Sequence, residues 1–168
     1  LNYQGNRIAI SSPFSDYNGL SSGHVEIYNW NGSNWSRLGQ KILGDSGHVM
    51  GLYSAVSLND SGNVVVMGST MQQTGIPEFG TVNVYKLNGS QWLQYGSTVY
   101  GEGSNDHFGT SASINSSGSI FVAGSPYNDG NGNNSGHARI FGAPNLSCSK
   151  PLNITIAETT YGTDVIPS

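Results

Sequence analysis

The chain has 168 residues, a net charge of −4 and only 10% charged residues, against roughly 25% in an ordinary globular domain. Its six Lys and Arg are scattered and form no patch that could neutralise phosphates, which excludes nucleic acid as a partner. No apolar run approaches the roughly 18 residues of a membrane-spanning helix, which excludes membrane insertion by that route. Polarity comes instead from 24 Gly and from Ser and Asn, the residues of turns.

Residues 1–5 align with residues 58–62 and 114–118, so the chain is expected to enter at the end of a strand whose body is missing. The first apolar run follows in Arg7-Ile8-Ala9-Ile10-Ser11-Ser12. A polar loop leads to Gly23-His24-Val25-Glu26-Ile27-Tyr28, which alternates as a half-buried strand does. Asn31-Gly32 then predicts a tight type I′ turn, with positive φ at both central residues, and a fourth strand carries Trp35. The cycle recurs. Residues 55–58 form a first strand, 64–67 a run apolar on both faces, and 82–85 a third strand; Asn88-Gly89 turns the chain and Trp92 lies in the fourth. A third pass supplies residues 110–114, 118–125 and 137–141.

The spacing defines the organisation. Gly5, Gly62 and Gly118 open one pattern at intervals of 57 and 56 residues, and Gly23, Gly80 and Gly136 open another at the same intervals. Independent landmarks that keep one period are internal repeats. Short strands separated by turn signals predict an all-β fold with almost no helix. They are expected to build antiparallel, four-stranded, propeller-like blades with a period of 56–57 residues. The repeats occupy residues 1–142, in units 1–53, 54–109 and 110–142; residues 143–168 read as a linker and tail. In that tail Leu152, Ile154 and Ile156 alternate with polar residues. They predict an extended strand that fills an empty position in its own chain or in a neighbour by strand addition. With the first unit short of its first strand and the third short of its fourth, the array is expected to be incomplete or open. Such ends suit head-to-tail contacts.

Three segments carry a family resemblance: Phe108-Gly109-Thr110-Ser111, Val122-Ala123-Gly124-Ser125-Pro126-Tyr127 and Ser135-Gly136-His137-Ala138-Arg139-Ile140-Phe141. They resemble the FG-GAP repeat of integrin-α-type β-propellers and of secreted microbial and algal surface proteins, over about residues 1–142. The resemblance implies a propeller-like fold, an extracellular or cell-surface location and a role in adhesion or surface structure. The earlier copy departs from it, with Val49-Met50-Gly51 where Phe-Gly is expected, and Ser69-Thr70 replaces Ser-Pro. The family's calcium loop falls on Asp129, Asn131 and Asn133, with Asp16 in the first copy. Calcium takes six to eight oxygens, several of them charged. With one carboxylate per loop, calcium and a plain Gly/Asn loop stand as alternatives, and no other cofactor is expected.

Catalytic chemistry is sparse. Hydrolase, phosphate-loop and dinucleotide motifs are absent; of the four histidines His24, His48, His107 and His137, the first and last sit at equivalent repeat positions, which points to a strand-edge or packing role, while Asp106 and His107, as neighbours in an extended chain, would point to opposite faces. Cys148 has no partner for a disulfide within the chain. Asn-x-Ser/Thr sequons occur at Asn31, Asn34, Asn59, Asn88, Asn115, Asn133, Asn145 and Asn153, about twice the chance number for this composition. They lie mostly in predicted turns, where glycans could be carried. The expected function is that of a non-enzymatic, extracellular structural or adhesive protein. Its expected partners are further copies of itself, as a homo-oligomer or filament, or neighbouring repeats of a longer chain. The alternative is a ligand-binding propeller segment for a glycan or protein, assisted by calcium.

Overall fold

The computed structural model describes residues 1–52, 55–70 and 79–143. Those residues contain strands and no helix. The first sheet comprises β1 (Arg7–Ser12), β2 (His24–Trp30), β3 (Trp35–Arg37) and β4 (Ile42–Leu43). In the second lie β5 (Val56–Leu58), β6 (Val64–Ser69), β7 (Thr81–Asn88), β8 (Gln91–Gln94) and β9 (Val99–Tyr100). The third contains β10 (Ser111–Ile114), β11 (Ile120–Ser125) and β12 (His137–Gly142). All strand pairings are antiparallel, and β1-β2-β3, β5-β6-β7-β8 and β10-β11-β12 each run as a meander.

The sheets stack on two apolar cores. Successive strand residues point to opposite faces, so β6 serves both: Val65 and Met67 join Val25, Ile27, Met50 and Trp92 between the first and second sheets. Val64 and Val66 join Val82, Val84, Phe108, Phe121 and Ala123 between the second and third. Every residue of β6 is buried, as a strand covered on both faces should be.

Two local expectations need correction. The single fourth strand of each unit is two short pieces in the first two sheets: β3 pairs with one end of β2 and β4 with the other, as β8 and β9 do with β7. The cause is a glycine at positive φ in the returning chain, Gly39 (φ 79°) and Gly96 (φ 97°), which breaks the extended run. The Asn-Gly turns are also not type I′. Asn88 pairs with Gln91, so the loop is Gly89-Ser90, and only Gly89 has positive φ (61°), the requirement of type II′. In the first sheet Trp30 pairs with Trp35 around a four-residue loop instead, and their rings pack 5.5 Å apart.

A third turn repeats faithfully. Between β5 and β6 the Asn59 side-chain oxygen accepts hydrogen bonds from the backbone N–H groups of Asn63 (3.0 Å) and Val64 (2.9 Å). Asn2 does the same for Asn6 and Arg7, and Asn115 for Ser119 and Ile120. A short polar side chain that mimics a backbone acceptor holds the hairpin in register.

Candidate assembly faces

The internal stacking has a residue-level grammar. Trp92 on β8 is 2% exposed, and its indole N–H donates to the Leu38 carbonyl of the first unit at 2.8 Å. The Gln40 side chain brackets it, donating to the Trp92 carbonyl and accepting from its N–H. Between the second and third sheets, Arg139 donates to Glu102 at 3.0 Å and to the Tyr100 carbonyl, while its guanidinium lies 4.3 Å over the Phe108 ring. Backbone bonds cross as well, from Met50 N–H to Ser22 C=O and from Phe108 N–H to Phe79 C=O. Thus Met50-Gly51 holds the structural place of Phe108-Gly109, which explains how the earlier copy manages without a phenylalanine.

At the two ends of the stack the same positions are open. Val64 and Val66 are 3% and 0% exposed, whereas their equivalents in the third sheet, Ile120 and Val122, are 49% and 36% exposed. Met67 is 0% exposed; its equivalent in the first sheet, Ile10, is 46%. Trp35, the equivalent of Trp92, is 43% exposed. A shallow depression lined by Ser111, Ser113, Val122, Gly124 and Ala138 marks the third-sheet face. Full burial of a Val or Ile side chain is worth about 1.5–3 kcal/mol, so covering either face would supply a substantial driving force.

Charged and histidine side chains cluster beside the sheets. Glu26, on the open side of the first sheet, is approached by Arg37 (3.4 Å), Lys41 (3.6 Å) and His24 (3.7 Å). Burial works to raise the Glu26 pKa, but Lys41, the Arg37 hydrogen bond and His24 outweigh it and hold the carboxyl below its ordinary value. His137, equivalent to His24, lies 3.8 Å from Glu102. His107 packs edge-on against Tyr127, and the His48 carbonyl accepts from Ser69 Oγ. Burial, with Asp45 nearby, raises the pKa of Tyr85.

The Asp129 loop and the Asp16 loop share one design. The Asp129 side chain accepts from Asn134 N–H at 2.7 Å, as Asp16 does from Ser21 N–H. Beneath it the buried Asp106 accepts from the Asn128 amide (2.6 Å) and from Gly103 N–H. Asn131 and Asn133 are exposed on the loop. Among the described residues, no group of three or more His, Cys, Asp or Glu could hold a metal ion. Of the sequons, Asn31, Asn34, Asn88 and Asn133 are exposed and Asn115 is half-buried. Asn59 is 2% exposed and its amide is engaged with Ser61, Asn63 and the Ser116 carbonyl. Asn145, Asn153, Cys148 and the strand of Leu152, Ile154 and Ile156 lie outside the described residues.

The asparagines of the repeated turn match no functional motif, and Asn59 and Asn115 also belong to sequons. Their signal was present: Asn2, Asn59 and Asn115 each stand three residues before the glycine that opens the repeat pattern. No family model matches the chain, and no curated protein matches it either.

Proposed function

We propose that the chain is a non-enzymatic structural or adhesive protein of the extracellular surface, a building block whose sheets act as blades and extend by stacking on further blades. The observation that carries this is the contrast between closed and open copies of one surface: Val64 and Val66 are sealed, and Ile120 and Val122 are not. Exposed apolar faces of this kind mark interaction sites. The FG-GAP-like segments, the low charge and the density of sequons support the extracellular setting. Propellers have four to eight blades, so the three sheets among the described residues would be an arc that further blades continue into a ring or filament.

Size-exclusion chromatography with light scattering, followed by electron microscopy, tests the proposal. Rings, filaments or discrete oligomers are expected. A dispersed monomer at every concentration would refute it.

A further inference from the structure

We infer that the third sheet of one copy docks on the first sheet of a second copy, with Asn115 reaching across the joint to the Tyr3 carbonyl. This rests on the assembly function proposed above and gives that assembly a partner, a polarity and a register.

Three sets of equivalent positions converge on it. The first is the asparagine of the repeated turn. The Asn2 amide donates to the Asp60 carbonyl at 3.2 Å, in the second unit, and the Asn59 amide donates to the Ser116 carbonyl at 3.4 Å, in the third. Each asparagine thus bonds the next unit's turn at one fixed place. Asn115 is the third member of the series, and its amide donates to Ser119 Oγ within its own turn at 3.3 Å. The residue equivalent to Asp60 and Ser116 in the first unit is Tyr3, which is 83% exposed.

The second set is the turn glycine. A Cβ on Gly62 would stand 2.7 Å from Arg7 Cδ, and one on Gly118 would stand 2.8 Å from Val64 Cγ2. Each glycine is therefore the seat for a side chain of the preceding unit. Gly5, at a similar positive φ (69°, against 64° and 74°), has nothing within 4 Å. Arg7 and Val64 correspond to Ile120 in the third unit, which is half exposed. The vacant seat and the unseated side chain lie on opposite faces of the described stack.

The third set is the apolar face. In the second interface Val64, Val66, Val82 and Val84 are sealed; in the third sheet their equivalents Ile120, Val122, Ala138 and Ile140 are exposed or half-buried. The surface that should receive them is the one bearing Ile8 and Ile10, the equivalents of Val65 and Met67. Repeating the step that carries the first sheet to the second and the second to the third brings a second copy's first sheet onto this face. Such a contact is heterologous, so it either closes into a ring or runs on.

Sedimentation velocity on the 168-residue chain tests this with four variants. Val122→Asp spoils the third-sheet face and Ile10→Asp the first-sheet face, both at exposed positions. The wild type is expected to sediment faster as concentration rises, and each variant alone to remain monomeric. An equimolar mixture of the two should form a dimer and nothing larger, because one intact joint remains between them. Gly5→Asn should also block association at only a small cost in melting temperature, since asparagine tolerates positive φ better than other side chains do and the space is open within the monomer. Asn115→Asp keeps the turn acceptor but removes the donor, and should weaken association about tenfold. Oligomers that persist unchanged in Val122→Asp and Ile10→Asp overturn this joint while leaving assembly itself standing. A wild type that stays monomeric throughout overturns both.

Discussion

Trp92 offers the sharpest test of the stacking between the first two sheets. The side chain is 2% exposed, it fills the core with Val25, Ile27 and Met67, and its N–H satisfies the Leu38 carbonyl. Aromatic-to-alanine changes at such sites cost about 3–5 kcal/mol, a large part of the roughly 5–15 kcal/mol that a domain possesses. Trp92→Phe keeps most of the apolar contact but leaves Leu38 without its donor, so a loss of about 1–3 kcal/mol is expected. Trp35→Ala is the internal control: it removes the equivalent residue, 43% exposed, which chiefly packs on Trp30. Its cost should be near the 0.5–1.5 kcal/mol of an aromatic pair, that is about 1 kcal/mol. Urea unfolding followed by far-UV circular dichroism, with slopes compared to confirm a common unfolded state, measures all three. Equal losses for Trp92→Ala and Trp35→Ala would refute the argument that the repeats are bonded through this residue.

Other outcomes follow from the same packing. Gly80 and Gly89 share positive φ (72° and 61°), but a Cβ on Gly80 would run into the Phe108 carbonyl while Gly89 faces open space. Gly89→Ala should therefore cost about 1 kcal/mol for the backbone conformation, and Gly80→Ala several times that in the same urea assay. Tyr85 stays protonated in the folded state beyond the ordinary tyrosine pKa of about 10. Above that pH the unfolded chain loses this proton first, so stability should fall as pH rises through the alkaline range. Ultraviolet titration should show a late-ionising component that Tyr85→Phe abolishes. Expression in a glycosylating host followed by glycopeptide mapping should find sugar at Asn34, Asn88 or Asn133 and none at Asn59, whose amide is buried and bonded.

The strands were legible because two signals agree in each repeat. Apolar alternation at 24–28 and 81–85 reports the face, and glycines at fixed intervals report the turns. The broken fourth strand was less so. Trp35 and Trp92 advertise a strand, but the interruption depends on Gly39 and Gly96, whose positive φ is one of several conformations glycine adopts freely. The Asn-Gly turn failed for a related reason: a shift of one residue in pairing moves the glycine from second to first place in the loop and changes the turn type. The alternation within β6 could not say which side meets which neighbour, since Val64, Val65, Val66 and Met67 are equally apolar. That assignment needed the stack.

Repetition also makes absence measurable. A lone exposed Ile or Val on a protein surface means little, because more than half of any folded surface is apolar. Ile120 and Val122 mean more, because the same chain shows what their positions do when covered, and the answer is 3% and 0% exposure at Val64 and Val66. The same logic applies to Gly5. Its empty surroundings would be unremarkable in an isolated turn, yet Gly62 and Gly118 show that this place in the fold is built for a side chain to press against. The internal interfaces are therefore the control for the two open faces, which differ from the middle of the stack in cover more than in chemistry.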